Sequence, residues 1–283
     1  MALLEVLESG LYCPAGNFHI DPVLPVERAL ITHAHSDHAR PGSRAYLTAL
    51  PGTSLLRARI GDEAPIQAEA YGASIRIGEV SVSFHPAGHI LGSSQIRIER
   101  DGEVWVVSGD YKLATDPTCL PFEPLRCHTF VTESTFGLPI FRWGDPARTV
   151  ADIQHWWRAN RQAGRASILF AYPVGKAQRI LSLLDAGAGP LVFHEPVERI
   201  NALYRAQGIA LPLPAENPDF SEALILPLPA LRGRHGCAAS APPLPPLPRA
   251  GCASADHAAG FRSIVVSCFP IMPIGPNSFK PSG

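Results

Sequence analysis

His33, His35, Asp37 and His38 fall within six residues, in the stretch THAHSDHARPG. Alternate residues of an extended loop project to the same side. His33 and His35 can therefore grip one cation while Asp37 and His38 turn toward a second. Imidazole and carboxylate with no thiolate suit Zn²⁺ or Mn²⁺. Downstream, HPAGHILGSSQ supplies His89, with His85 close by, and SGDYK supplies Asp110. A carboxylate has two oxygens and can bridge two cations. A pair of ions about 3.5–4 Å apart can clamp a phosphodiester and lower the pKa of water between them. A lone histidine on a polar loop is ordinarily a surface residue, and it is the density here that sets the group apart. His85 stays open between ligand and local hydrogen-bonding residue. His19 and His128 read as structural, and His155 and His194 have no ligand partners nearby in sequence. No G-x-S-x-G elbow, P-loop or dinucleotide fingerprint competes.

The elements that must carry these side chains can be read from hydrophobic period and turn chemistry. Ala29–Thr32 is a short apolar strand running into the histidine loop. ASIRIGEVSVSF alternates on both sides of Gly78-Glu79, which predicts a hairpin. QIRIERDGEVWVVSGDYK repeats that design around Asp101-Gly102 and delivers Asp110 at the end of its second strand. TFVTEST is another strand, ending at Glu133. After about residue 140 the style changes. Asp145 is a good N-cap with Pro146 in the first turn, Val150, Ile153 and Trp157 share one helical face, and Gly164 suits the stop. SILFAYPVGKAQRIL and GPLVFHEPVERINALYR each read strand then helix, the pattern of a small parallel sheet. A boundary is expected near Gly137–Trp143.

The 283 residues carry a net charge of −1 and 46% hydrophobic residues. A sizeable core is therefore available, and no global basic signature marks a nucleic-acid binder. No signal peptide and no apolar run long enough to span a bilayer is read. The six cysteines have no metal-type spacing. The expected setting is the reducing cytoplasm, with no membrane partner.

Taken together, THAHSDHARPG, PAGHILGSSQ, SGDYK and VTESTFGLP resemble the metallo-β-lactamase fold, and more narrowly its nucleic-acid-cleaving β-CASP branch. GLYCPAGNFHIDP and GKAQRIL are similar to segments of the bacterial DNA-ligase-associated DNA damage response exonucleases, also labelled mRNA 3′-end processing factors. The likeness runs from about residue 10 to 226. It implies an α/β (α+β) chain: an αββα sandwich over 1–140, a β-CASP insert over 141–226, and two divalent metal ions, Zn²⁺ or Mn²⁺. His33, His35 and His89 would hold the first ion, Asp37 and His38 the second, with Asp110 bridging. Asp37, Asp110 and Glu133 would be the catalytic carboxylates, Glu133 orienting a ligand histidine. Lys176 and Arg179 would touch nucleic-acid phosphates. The implied activity is phosphodiester hydrolysis, most simply a DNA exonuclease working beside a ligase–helicase repair system. Alternatives are an RNA 3′-end processing nuclease, a non-catalytic remnant that binds metal or nucleic acid and, more remotely, a small-ester hydrolase.

The segment 227–283 departs from this pattern. The stretch Ala223–Ser254, ALILPLPALRGRHGCAASAPPLPPLPRAGCAS, is Pro-, Ala- and Leu-rich with no period, and the regular pattern stops after Leu226. The resemblance implies a return to the first domain there, with an S-D-H-A-D-W-like motif and a T-H-G-like motif, each contributing a histidine. Neither is present, and His257 in SADHAAGF lacks their context. Each residue nearly fixes the first two bases of its codon. A shifted triplet takes the third base of one codon and the first two of the next. With permitted third bases, Val265–Gly275 becomes G-F-V-L-S-D-H-A-D-W. Its alanine is forced, because Met272 has one codon and the codon of Pro273 begins CC. The same offset turns Pro248–Ser254 into S-G-W-M-R-V. The expectation is a frame slip at about Leu226, with an out-of-frame tail. The alternative is a disordered Pro-rich tail.

Overall fold

The structure is a computed structural model that describes residues 2–135, 140 and 144–227, together with the backbone of 262–265. A first sheet runs in chain order through β1 (Glu5–Leu7), β2 (Gly10–Cys13), β3 (Phe18–Ile20), β4 (Ala29–Ile31), β5 (Tyr46–Ala49) and β6 (Ile66–Glu69). Helix α1 (Thr53–Ile60) joins its last two strands. The second sheet contains β7 (Ser74–Ile77), β8 (Val80–Pro86), β9 (Ser94–Arg100), β10 (Glu103–Val107) and β11 (Thr129–Val131), in the order β11-β10-β9-β8-β7. Both expected hairpins are present, closing at Ile77–Val80 and at Arg100–Glu103. Their period-2 alternation puts Val80, Val82, Phe84, Ile96 and Ile98 inward, against Phe18, Ile20, Leu30 and Leu47 of the first sheet. The two sheets thus form a sandwich around one apolar layer. Leu56 of α1 packs with Ile31 and Tyr46 on the outer face of the first sheet.

The αββα order holds on that side. Among the described residues no helix covers the outer face of the second sheet, where Ser83, His85, Arg97 and Glu99 pair with one another or with Glu123.

The second unit is a parallel sheet with helices. Helix α2 (Pro146–Gln162) starts at Asp145, whose Oδ1 accepts the Ala147 N–H at 2.9 Å. It buries Ile153 and Trp157 as the 3.6-residue period requires. Strand β12 (Ser167–Phe170) feeds α3 (Lys176–Leu183), and β13 (Leu191–Phe193) feeds α4 (Glu195–Ala206). Strand β14 (Leu224–Leu226) lies parallel between β12 and β13, and the backbone of β15 (Arg262–Val265) runs parallel along the other side of β12. Most of the expected boundary, Gly137–Trp143, lies outside the described residues, as does the 227–283 segment beyond Pro227 and β15. The core of the second unit includes Ala34, Leu55 and Leu91 of the first. Tyr204 of α4 is fully buried there, and its hydroxyl oxygen accepts the Leu91 N–H at 3.3 Å. The two units therefore share one packed interface beside the histidine loop. Among the described residues no helix is long and apolar enough to cross a membrane.

Candidate metal centre

Parallel pairing of β3 with β4 puts Asp21 beside Thr32, and both belong to the strand ends from which the histidine loop departs. Asp21 Oδ1 accepts the Thr32 N–H at 2.8 Å, and Oδ2 accepts the Thr32 hydroxyl at 2.5 Å. With its hydroxyl proton committed, Thr32 Oγ1 can only accept from His33 Nδ1, 3.1 Å away. That leaves a bare lone pair on His33 Nε2. His35 Nε2 donates to the Val174 carbonyl at 3.3 Å, which leaves Nδ1 bare. The two bare nitrogens lie 3.0 Å apart, and His89 Nε2 lies 3.2 Å from His35 Nδ1. Asp110 Oδ2 completes the group, 3.7 Å from His33 Nε2 and 3.5 Å from His89 Nε2. All four donor atoms lie within 4.8 Å of one another.

Lone pairs aimed at one another repel unless a cation lies between them. A tetrahedral ion with bonds of about 2.0–2.1 Å needs donors about 3.3 Å apart, so the four side chains fit one divalent metal ion. Electrostatics agree. Burial, and then the neighbouring imidazoles, hold His33 well below the ordinary histidine pKa, and the same causes bring His89 down to about 3. Ligand imidazoles must be neutral to bind metal, and these are.

Asp110 arrives at the end of β10 through Gly109. At that glycine φ is +55°, and a β-carbon would sit 2.6 Å from the Thr32 side chain. Asp110 Oδ1 turns the other way, 3.2 Å from His38 Nε2, which is also 3.6 Å from Asp37 Oδ2. His38 Nδ1 donates to Asp21 Oδ2 at 2.8 Å. Burial opposes a charge on His38, but hydrogen bonds to Asp110 and Asp21 overcome it and hold the imidazole up at about 10. Burial also works against ionised Asp110, yet His38 and the other imidazoles bring its carboxyl below the usual value. The side chain of Asp37 is largely exposed. Asp37, His38 and Asp110 Oδ1 thus approach one another beside the four-donor group, with Asp110 shared.

The remaining histidines lie elsewhere. His85 Nε2 is 2.9 Å from Ser83 Oγ, His19 Nε2 is 2.8 Å from Ser9 Oγ, and His128 Nδ1 accepts the Val104 N–H. Glu133 lines the cavity over the centre, and among the described residues its carboxylate makes no hydrogen bond to a ligand histidine. The outer nitrogens of His33, His35 and His38 are taken instead by Thr32, the Val174 carbonyl and Asp21. Asp21 was not singled out from sequence, although it sits in the GNFHIDP stretch. An acidic residue before a proline at a strand end was the available signal. Replacing Asp21 with asparagine removes the acceptor that fixes two ligand rings. A zinc titration of Asp21→Asn is expected to show affinity weakened by about 10–100-fold with the fold kept.

The cavity beside the centre has a volume of about 610 Å³ and draws its walls from both units. Lys112 and Asp116 lie in its wall as a buried pair, Nζ to Oδ2 at 2.5 Å. Asp116 Oδ1 accepts the Thr118 N–H and hydroxyl, and Arg179 Nε of α3 lies 3.5 Å from Oδ2. Burial raises the Asp116 carboxyl, but Lys112 and the Thr118 hydrogen bonds together bring it below the usual value. Lys176, Arg179 and Glu133 all line this space, so the sequence-singled residues share one chamber with His35, Asp37, His89 and Asp110.

No family model matches the chain. A probable DNA ligase from Opitutus terrae is 30% identical over 207 residues, covering 72% of this chain and 20% of that protein. Ribonuclease TTHA0252 from Thermus thermophilus is 28% identical over 199 residues, 59% of this chain and 44% of that protein. An RNase J-like protein from Methanocaldococcus jannaschii is 30% identical over 110 residues, covering 38% of this chain and 26% of the relative. These similarities indicate the β-CASP branch of the metallo-β-lactamase family. The chain spans from about a fifth to less than half of the length of these relatives. Among solved structures, a protein of unknown function from Enterococcus faecalis V583 superposes with a TM-score of 0.49 at 16% identity, over 72% of this chain and 59% of the other. That match is too loose to bear on the assignment. In this chain the histidine loop, His89 and Asp110 come from the sandwich, while α3 and the turn before it close one side of the site.

Proposed function

We propose that this chain is the metal-binding part of a nuclease that hydrolyses phosphodiester bonds, with DNA as substrate in a repair context. The observation that carries the reading is the convergence of His33 Nε2, His35 Nδ1, His89 Nε2 and Asp110 Oδ2 at metal-ligand spacing. The DNA context rests on the match to a probable DNA ligase, and the ribonuclease relatives keep RNA as the second reading. His33, His35, His89 and Asp110 would hold one divalent ion, zinc by the donor set. Asp37, His38 and the other Asp110 oxygen would hold a second, with His38 giving up its Nε2 proton as the ion binds. When bound, such ions supply Lewis acidity to a phosphate oxygen and ready a water for attack. The chain's own residues do the rest. Asp21 and Thr32 fix the ligand tautomers, and Asp110 ties the two positions together. Lys176 and Arg179 place positive charge where flanking phosphates would lie. Glu133 puts a carboxylate in the same chamber, within the volume a substrate would fill.

On the same reading, residues 227–283 are an out-of-frame copy of the segment that returns to the sandwich and brings the last histidines. The constant-offset recovery of G-F-V-L-S-D-H-A-D-W supports it. Source DNA whose codons forbid those triplets would end that idea. The frame-corrected protein is then the active form, and the present chain is a metal binder with turnover lowered by about 10²–10⁴ for each missing catalytic group. The test compares both forms on end-labelled DNA and RNA oligonucleotides with zinc or manganese. Hydrolysis of DNA by the corrected form, abolished by chelation, is expected. Hydrolysis of RNA alone would favour the second reading. No hydrolysis of either by the corrected form would overturn the proposal.

A further inference from the structure

Tyr172 stands out among the aromatic residues of the second unit. Trp157 and Tyr204 are wholly buried, whereas Tyr172 is 64% exposed. It is also the one Phe, Tyr or Trp among the described residues that line the cavity over the metal centre. Its position is fixed by the turn that it opens. Two residues on, the Val174 carbonyl accepts from the ligand His35. At Gly175 φ is +84°, and a β-carbon would lie 2.3 Å from Ile90 Cγ2 and 4.0 Å from His35 Nε2. The turn is therefore pressed against the metal loop, and the tyrosine ring is carried at a set offset from the ligands. Lys176 Nζ lies 4.8 Å from the centroid of that ring. This contact restrains the ring and sets an ammonium group over one of its two faces. Arg179 follows three residues along the same helix and faces the same cavity. Among the described residues, its guanidinium is held only by Asp116, through Nε.

We infer that Tyr172 is a stacking platform for one unpaired base next to the scissile phosphate, with Lys176 and Arg179 on the adjoining backbone, so that the site takes single strands or frayed ends. The inference rests on the nuclease reading above. An aromatic face flanked by two cations is the arrangement that single-stranded nucleic acid recognises, since every base has a π-face and every linkage a negative charge. A base within a duplex is already stacked and has no face to offer until it leaves the helix.

The test uses the zinc-loaded protein and phosphorothioate oligonucleotides that resist hydrolysis, each with one 2-aminopurine placed at successive positions. One position is expected to show quenched fluorescence on binding. Tyr172→Ala should lose that quench and weaken the Kd by about 5- to 150-fold, while Tyr172→Phe, which keeps the ring, should retain both. The same sequence annealed into a blunt duplex should bind more weakly and without the quench. An unchanged Kd in Tyr172→Ala, or equal quenching in the duplex, would overturn the platform and leave the nuclease reading standing. If the wild-type protein binds no oligonucleotide of any form, the nuclease reading itself fails, and the platform with it.

Discussion

Replacing Asp110 with asparagine in the frame-corrected protein is expected to lower phosphodiester hydrolysis by at least about 10²–10⁴-fold while leaving the fold intact. The carboxylate is shared. Oδ2 closes the four-donor group with His33 and His89, and Oδ1 faces His38. Asparagine keeps the shape and offers one neutral oxygen, so neither position retains an anionic ligand from this residue. The loss falls on metal binding and not on packing. Circular dichroism should match wild type, and zinc stoichiometry should fall. Retained turnover in Asp110→Asn would remove the bridging role.

The second large effect is on stability. Lys112 and Asp116 are buried at 2% and 5% exposure, and they pair at 2.5 Å in the cavity wall. Removing one partner of such a pair leaves an uncompensated charge away from water, which costs about 3–5 kcal/mol. Asp116→Ala strands the Lys112 ammonium and also removes the acceptor for Thr118 and the anchor of Arg179. The expected fall in melting temperature is about 6–20 °C for a chain of this size. Pairing it with Lys112→Met, which removes the charge left behind, should restore most of that loss. A melting temperature unchanged in Asp116→Ala would show that water reaches the pair and that it contributes little.

Sequence legibility divides along lines of range. The hairpins at Gly78-Glu79 and Asp101-Gly102 depend on local turn chemistry and period-2 alternation, and both formed as expected. Helix α2 follows from Asp145, Pro146 and a clear apolar stripe. The four clustered side chains could be singled out because His33 and Asp110 follow strands legible in the sequence, and His33 and His35 are near neighbours. Asp21, Thr32 and the Val174 carbonyl were not legible as orienting groups. Asp21 reaches His38 across 17 positions, and Val174 meets His35 across 139. Such contacts are created by parallel strand pairing and by docking of the two units, and no local pattern encodes them. The buried Lys112–Asp116 pair is local, at i and i+4, but nothing in KLATD marks it as buried rather than solvated. The polar outer face of the second sheet is legible in VSVSFHP, whose alternate positions are Ser81, Ser83 and His85.

The measurement closest to the central claim is X-ray absorption at the zinc edge on the zinc-loaded chain, with zinc content measured in parallel for His89→Ala. The expected result is stoichiometric zinc in a shell of nitrogen and oxygen alone, at about 2.0–2.1 Å, with uptake lost in the variant. A sulfur shell at about 2.3 Å, or zinc uptake undiminished in His89→Ala, would place the metal elsewhere and contradict the assignment of His33, His35, His89 and Asp110.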